Sequence, residues 1–458
     1  MNRTVVLNIV GLTPRHIGSE TPAIRDFAEK GTLRRIRSAF PAVTCSAQSD
    51  YVTGTAPDRH GIVGNGWYHR ELAEVQFWKQ PEAQVTGAKI WDLLKQKDPS
   101  FTCAKLFWWY NMYSTADYTI TPRPMYPADG RKIFDVYTKP YSIRPDIKKE
   151  LGEFPFPSFW GPAAGIASSR WIADSAKWIE NRYSPTLSLV YLPHLDYGLQ
   201  KLGPTHAGIA EELRRIDEVV DDLILYFQSR SVQVILLSEY GISPVDRPVH
   251  LNRLFRQKGW LAIKDELSLE ILDCGASRVF AVADHQVAHI YLNDTSISSQ
   301  VLDLLNAQEG VDYVLDESGK KEHRINHSRA GDFIAVADSN AWFTYYYWNE
   351  DSKAPDFARC VDIHRKPGYD PVELFLEPTI SCPKLRVAWK LFLKKIGMRM
   401  LMDFIPLDAG LVRGSHGRRL ETGADQPVLI LPGKTGSVAE SLESTEVMNV
   451  LMQAVQPN

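Results

Sequence analysis

The distribution of apolar and polar positions along the chain predicts a sheet of buried strands with helices packed against it. Three apolar runs, at residues 4–16, 186–198 and 232–241, end in polar residues, as buried parallel strands of α/β proteins often do. Helical periodicity marks four further segments, at residues 21–31, 88–98, 169–183 and 208–230. Strand and helix therefore alternate as in a doubly wound α/β fold, which keeps its chemistry at the carboxyl ends of the strands.

The pattern changes at about residue 243, and this change predicts an inserted α+β cap. Residues 277–292 and 341–351 alternate like strands of a more antiparallel unit, and turns are expected at 293–296 and 317–323. The run at 426–433 predicts one more strand of the first unit. We therefore expect two units, a core formed by residues 1–242 and 405–458 and a cap formed by residues 243–404.

Composition narrows the class of protein. The chain has 458 residues, of which 44% are hydrophobic and 23% charged, and its net charge of −3 gives no general attraction to nucleic acid. The five cysteines are scattered without CxxC spacing, which argues against a disulfide framework or a cysteine zinc site. The apolar start is too short for a secretory signal, and we expect a cytoplasmic protein without a nucleic-acid polymer as partner.

Four polar residues at predicted strand ends or in glycine-flanked turns could cooperate in catalysis. Carboxylates and an imidazole that converge on a hydroxyl group could support metal-assisted attack on phosphorus, because a cation activates the hydroxyl and neutralises the oxyanion. The alternative is that each residue is a turn or a helix cap. The candidates are Thr44, Asp196, Glu239 and His416.

The segment FPAVTCSAQSDYVTGTAPDRHGIVGNGWY, residues 40–68, carries a family resemblance. It is similar to the P-x-x-T and T-G-x-x-P-x-x-H-G-I-x-x-N motifs of the nucleotide pyrophosphatase/phosphodiesterase branch of the alkaline phosphatase superfamily. The resemblance implies a mainly parallel sheet sandwiched by helices, with an inserted cap. It also implies a dizinc centre, Thr44 as nucleophile, Asn65 as a contact to the phosphoryl group, and a phosphorylated small-molecule or lipid-linked substrate.

Several metal-ligand positions of that family are substituted here. Val10 stands where the family has aspartate before glycine, and Gln200 replaces the histidine of the D-x-x-x-H motif that begins at Asp196. Glu239 and Tyr240 replace the aspartate and histidine of the D-H-G motif, and among these motifs His416 retains the family residue. Valine supplies no ligand, and neutral amide oxygen binds zinc poorly.

The resemblance therefore leaves two reduced ligand sets. One contains Asp196, Gln200 and His416, and the other contains Thr44 with Glu239, to which Tyr240 and Asn8 are doubtful additions. We expect a divalent ion, zinc or manganese/magnesium, as one ion rather than two or as none.

Three functions stay open at this point. The first is a metal-dependent phosphodiesterase or pyrophosphatase that uses the threonine nucleophile. The second is a catalytically degenerate protein of the same fold that binds phosphate or serves as a scaffold. The third is a one-metal lyase or transferase.

The cap offers further candidate ligands. His364, Arg365, Lys366 and Asp370 lie in one proline- and glycine-containing loop, which is either a lid over an anionic substrate or a solvated turn with internal ion pairs. His285 and His289 would share one face if their segment were a single strand, although satisfied core histidines are the favoured interpretation.

Residues 383–407 combine six basic residues with Trp, Phe, Leu, Ile and Met side chains. This composition is typical of a helix that lies in a membrane interface. The alternative is an amphipathic helix packed between cap and core. We therefore expect peripheral contact with the inner face of a membrane through this segment.

Overall fold

The computed structural model describes residues 1–434 and 439–456. A nine-stranded sheet with strand order β21-β2-β20-β9-β1-β8-β5-β6-β7 forms the centre of the protein. In chain order the strands are β1 Thr4–Ile9, β2 Thr32–Arg37, β3 Gly66–His69, β4 Glu74–Phe77, β5 Cys103–Leu106, β6 Tyr118–Pro122, β7 Val136–Lys139, β8 Leu187–Leu192, β9 Gln233–Leu237, β10 Ser243–Pro244, β11 Arg247–Val249, β12 Ala262–Glu266, β13 Leu269–Asp273, β14 Val279–Asp284, β15 Val287–Leu292, β16 Val311–Leu315, β17 Phe333–Ala337, β18 Ala341–Phe343, β19 Gly414–Ser415, β20 Val428–Leu431 and β21 Ser441–Glu443.

The helices agree with the periodicity of the sequence, and all four predicted helical segments are confirmed. In chain order the helices are α1 Pro22–Lys30, α2 Thr44–Thr53, α3 Pro57–His60, α4 Ile90–Lys97, α5 Ile143–Leu151, α6 Ile166–Tyr183, α7 His194–Leu202, α8 Ile209–Gln228, α9 Leu251–Gln257, α10 Ser298–Asn306, α11 Glu317–Glu322, α12 Pro383–Lys395 and α13 Val447–Val455. Among the described residues, none of these helices is both long and apolar enough to cross a membrane.

The three apolar runs form the middle of the large sheet. β1 pairs in parallel with β8 on one side and with β9 on the other, so that Leu7 lies between Val190 and Leu236. Because all three strands are buried on both faces, their sequences are almost continuously apolar rather than alternating. The strand predicted at 426–433 is also confirmed, as β20, which pairs antiparallel with β9 and β2.

Helices cover both faces of this sheet, as expected for the predicted fold class. Val5 and Leu7 of β1 face a hydrophobic cluster that includes residues of α1, α6 and α8. Val6, between them, faces the opposite cluster, which includes residues of α2, α4 and α13. The alternation of side chains along a strand thus divides the core into two layers, one on each face of the sheet.

The second half of the chain contains a smaller antiparallel sheet with strand order β14-β15-β17-β16. The division into a core of 1–242 and 405–458 and a cap of 243–404 stays a prediction. Residues 435–438 and 457–458 of the predicted core lie outside the described residues. Large-sheet strands come from both ends of the chain, which places residues 279–337 in an insertion between them.

Residues 277–292 form antiparallel strands as predicted, arranged as a hairpin in which His285 adopts a positive φ of 62° in a two-residue turn. Two other local expectations for this insertion were wrong. Residues 317–323 contain the short helix α11, whose first turn is capped by the Asp316 carboxylate accepting from the Gly319 amide, rather than a turn. Within 341–351 only residues 341–343 are a strand, although the aromatic residues that follow are fully buried.

Candidate functional site

The carboxyl ends of the three central strands bring the predicted site residues together. Asn8 lies near the end of β1, Glu239 and Tyr240 follow β9, and Asp196 is in the first turn of α7, just after β8. Thr44 begins α2, a helix in which all ten residues are buried. Parallel strands whose ends meet at one edge of the sheet account for this convergence.

His416 reaches the same place from the far end of the chain. β19, which precedes it, pairs with β10 and packs against α7. This approach requires glycine at Gly414, since a Cβ there would lie 2.1 Å from the Leu199 carbonyl oxygen. The His416 Nε2 atom lies 3.9 Å from Asp196 Oδ1. This separation is short enough for the two side chains to contact one metal ion.

The Tyr240 side chain occupies the centre of the site. Its hydroxyl oxygen lies 3.1 Å from Thr44 Oγ1, and it donates a hydrogen bond to Asp196 Oδ1 over 3.3 Å. Its ring stacks on the His416 ring with a centroid separation of 3.7 Å. Burial raises the pKa of Tyr240, so the phenol is neutral at physiological pH. The phenol thus lies between the candidate nucleophile and the candidate metal ligand Asp196.

The Glu239 carboxyl is enclosed by neutral amides. Its Oε1 atom accepts hydrogen bonds from Asn8 Nδ2 over 2.5 Å and from Gln48 Nε2 over 2.6 Å. Complete burial raises the pKa of Glu239 to about 8, and the two amide contacts offset only part of this effect. At neutral pH the protonated form of this carboxyl therefore predominates.

Asp196 and Gln200 are tied to each other and to the cap. Gln200 Nε2 donates to Asp196 Oδ2 over 2.7 Å, one turn apart on α7, and Gln200 Oε1 accepts from the Tyr369 hydroxyl over 2.9 Å. Burial raises the pKa of Asp196 to about 7. Tyr369 belongs to the loop that contains His364, Arg365 and Lys366, so this loop covers the site with a phenol.

Asn65 is held by a carboxylate that the sequence did not single out. The Asp284 carboxylate accepts from the Asn65 backbone amide over 2.7 Å and from Asn65 Nδ2 over 3.0 Å. Asn65 Oδ1 in turn accepts from the Cys45 amide over 3.1 Å, next to Thr44. Burial raises the pKa of Asp284 to about 7. Both polar ends of the Asn65 side chain are therefore engaged within the protein.

Two histidine rings complete the cluster. The His285 ring packs against the rings of His416 and Tyr369, each at a centroid separation of 3.6 Å. His416 Nδ1 donates to the Ala42 carbonyl over 2.8 Å, and burial lowers the pKa of His416 to about 3. His289, in contrast, lies in β15, where it contacts the Val63 carbonyl and the Gly331 amide. His289 thus matches the satisfied core histidine, whereas His285 reaches the site.

The predicted cationic lid residues make contacts within the cap. Lys366 is buried, and its Nζ atom lies 2.7 Å from a carboxylate oxygen of Asp370 and 2.7 Å from one of Glu373. Arg365 pairs with Asp356 over 3.1 Å, and His364 Nδ1 contacts the Phe77 carbonyl over 3.2 Å. The loop therefore has the internal ion pairs of the second alternative, but Lys366 and Asp370 are buried rather than solvated.

The donor set does not fit the two-zinc centre that the family resemblance implies. Val10 is fully buried in a hydrophobic cluster and supplies no ligand, and both oxygens of Asp196 already accept hydrogen bonds. Within residues 1–434 and 439–456, no group of three His, Cys, Asp or Glu side chains has a geometry suited to a metal ion. Asp196 and His416 are the two family ligand residues that are retained here and lie close enough to bind one ion together.

Three contributors were missed by the sequence analysis. Gln48 is one helical turn after Thr44 on α2, which is a signal that could have been used. Asp284 and Tyr369 reach the site only through the packing of the insertion on the large sheet.

The site itself is closed to solvent, since Thr44, Asn65 and Tyr240 are each at most 3% exposed. A cavity of about 320 Å³ lies elsewhere, at residues that include Arg37, Asp50 and Arg419.

The architecture places a threonine at the start of a helix beside the central strands. The model of the type I phosphodiesterase / nucleotide pyrophosphatase family matches residues 4–370, and the chain belongs to this family. An uncharacterized pyrophosphatase/phosphodiesterase of Schizosaccharomyces pombe is 23% identical over 250 residues, which are 51% of this chain and 44% of that protein. The chain thus matches less than half the length of this relative.

Solved structures show the same fold. Phosphonoacetate hydrolase from Sinorhizobium meliloti 1021, in complex with phosphonoformate, aligns with a TM-score of 0.63 and 14% identity, covering 99% of this chain and 96% of that one. Murine ectonucleotide pyrophosphatase/phosphodiesterase 5 aligns with a TM-score of 0.59 and 14% identity, covering 99% and 95%. At this level of identity the two similarities establish the alkaline-phosphatase-like fold alone.

Proposed function

We propose that this chain is a catalytically degenerate member of the family, which uses the retained fold for binding or scaffolding. The observation that supports this most directly is the position of Tyr240, whose hydroxyl contacts both Thr44 and Asp196. A neutral phenol in this place supplies neither the positive charge of a cation nor an open coordination position. The threonine hydroxyl is then a partner in a buried hydrogen-bond network.

The charges around the site also support the proposal that catalysis has been lost. Asp196, Glu239 and Asp284 are buried, and no described lysine or arginine forms an ion pair with any of them. Phosphoryl transfer develops negative charge that cations have to stabilise. A dianionic phosphate placed beside these three carboxyls would meet no compensating charge from the described part of the chain.

A second candidate is threonine-dependent hydrolysis of a phosphodiester or pyrophosphate in a phosphorylated small molecule or lipid-linked substrate. The separation of 3.9 Å between His416 Nε2 and Asp196 Oδ1 favours it, because these two atoms could share one zinc, manganese or magnesium ion. The Nδ1 contact of His416 to the Ala42 carbonyl also leaves Nε2 as the nitrogen with a lone pair. Asn65 and the lid residues His364, Arg365 and Lys366 would then bind the phosphoryl group.

Metal analysis and a turnover assay on the full chain distinguish the two candidates. The purified protein is dialysed against zinc, manganese or magnesium, analysed for bound metal, and incubated with a generic aryl phosphodiester. We expect far less than one ion per chain and the same background turnover for wild type and Thr44→Ala. Thr379→Ala, an exposed threonine change, is the matched control. If the protein instead bound one ion per chain and Thr44→Ala, but not Thr379→Ala, abolished its turnover, threonine-dependent hydrolysis would replace the degenerate function as the proposal.

A further inference from the structure

Residues 383–402, which we call the basic-apolar segment, expose an unusual number of large apolar side chains. The segment comprises α12 and the seven residues after it, 396–402. Seven of its side chains have exposed fractions of 45–70%, and they are Leu385, Trp389, Leu391, Phe392, Ile396, Met398 and Leu401. Soluble surfaces seldom keep so many large apolar side chains in one place unless another molecule covers them.

α12 exposes large apolar side chains to the surroundings while one of its lysines faces the protein. Lys390 points toward the protein, where its side chain is only 12% exposed and its Nζ atom contacts the Asp403 carboxylate. Trp389 and Phe392 are 59% and 51% exposed, and their rings stack on each other at 5.7 Å. A helix that packed its apolar face into the core would show the opposite pattern. The apolar face of α12 is therefore presented to the surroundings.

The charged residues within this segment are all basic. Residues 378–402 contain six lysines and arginines and no aspartate or glutamate. Asp403, just beyond, pairs with Lys390 and lies 3.6 Å from Arg386, so it neutralises the inward side of the segment. Lys395 and Arg399 are exposed next to the apolar side chains. A second copy of this chain would present the same positive charge and would be repelled.

We infer that the basic-apolar segment docks the protein on an anionic lipid bilayer. Trp389, Phe392 and the neighbouring aliphatic side chains enter the boundary between headgroups and acyl chains, while Lys395 and Arg399 contact anionic headgroups. This inference does not depend on the proposed function, because it concerns a surface other than the Thr44 site.

Vesicle co-sedimentation of the full chain tests this inference. The vesicles are phosphatidylcholine alone or phosphatidylcholine mixed with phosphatidylglycerol, each at low and high salt. We expect binding to the mixed vesicles that weakens at high salt. Trp389→Ser/Phe392→Ser and Lys395→Glu/Arg399→Glu should each weaken it by about tenfold or more, from lost apolar burial and lost headgroup attraction respectively.

Matched controls separate this surface from general stickiness. Leu267→Ser/Tyr141→Ser removes apolar side chains that are 97% and 71% exposed elsewhere, and it should leave vesicle binding unchanged. Thr44→Ala should also bind like wild type. Recovery of the wild type in the supernatant, with or without phosphatidylglycerol, would overturn the inference. An equal loss of vesicle binding in Leu267→Ser/Tyr141→Ser would also overturn it. The inference would likewise fail if the wild type were a dimer that Trp389→Ser/Phe392→Ser dissociates, because a second copy of the chain would then cover this surface.

Discussion

The hydroxyl group of Tyr240 lies 3.1 Å from the hydroxyl oxygen of Thr44, in a site that is closed to solvent. The same tyrosine hydroxyl donates to Asp196, and the ring covers His416. One substitution in a D-H-G motif therefore engages the nucleophile position and two ligand positions at once.

The hydroxyl groups of Tyr240 and Thr44 should contribute to stability as a pair. Tyr240→Phe leaves buried partners unsatisfied, and we expect it to lower the free energy of unfolding by about 1–3 kcal/mol. Thr44→Val should have an effect of similar size. Because the two hydroxyl groups contact each other, the double variant should lose about 1 kcal/mol less free energy of unfolding than the two single variants lose together. Urea unfolding of the four proteins measures this coupling. Strict additivity would show that the two hydroxyls do not interact.

Restoring the family ligands should create a metal site. The variant Val10→Asp/Gln200→His/Glu239→Asp/Tyr240→His adds donors around the retained Thr44, Asp196 and His416. We expect it to bind zinc where the wild type does not, and zinc at a hundredfold excess over the dissociation constant should stabilise it by about 2.7 kcal/mol. Metal analysis and thermal unfolding with and without zinc provide the measurement.

The same quadruple variant with Asp196→Asn is the control for this experiment. It retains the added donors but loses one shared carboxylate, so it should bind less zinc. Equal zinc binding by the wild type and the quadruple variant would contradict the view that the substitutions removed the metal centre.

The two neighbouring lid cations should differ sharply in their contribution to stability. Lys366→Met leaves the buried carboxylates of Asp370 and Glu373 without their cation, and we expect a loss of about 3–5 kcal/mol. Arg365→Ala removes a solvent-exposed pair with Asp356 and should cost about 0–1 kcal/mol. Denaturant unfolding of both variants provides the comparison. If Lys366→Met lowered the free energy of unfolding as little as Arg365→Ala, the ion pairs of Lys366 would not be needed for stability, and a role in substrate binding would be favoured instead.

His289 should make the protein sensitive to mild acid. Burial lowers the pKa of His289 from 6.5 to about 4, so between these values the unfolded chain binds the proton more readily than the folded one. Its stabilising contribution is therefore complete above pH 6.5 and decreases as the pH falls toward 4. At pH 5 the expected loss is about 2 kcal/mol.

Comparison of His289→Gln with the wild type isolates this effect. The glutamine amide can still donate to the Val63 carbonyl but does not titrate. The stability difference between the two proteins should shrink by about 2 kcal/mol from pH 7.5 to pH 5. A stability difference between His289→Gln and the wild type that stays constant with pH would mean that His289 does not titrate as its burial implies.

The sequence by itself determined the central architecture. The runs at 4–16, 186–198 and 232–241 are apolar because their strands are buried on both faces. Such a run can be recognised in the sequence without knowing which elements pack against it. The motif at 40–68 also identified the family and the position of Thr44, since a long ordered pattern of residues is independent of detailed packing. The departures at Val10, Gln200 and Tyr240 could likewise be recognised without coordinates.

Only the tertiary structure decided what those departures produce. The role of Tyr240 depends on a separation of 3.1 Å from Thr44, and the two residues are 196 positions apart in the chain. Asp284 and Tyr369 reach the site because a hairpin turn at His285 and the packing of the insertion place them there, and neither carries a motif. Local sequence patterns fix which element forms, but contacts between distant elements depend on how the elements pack, which no local pattern encodes.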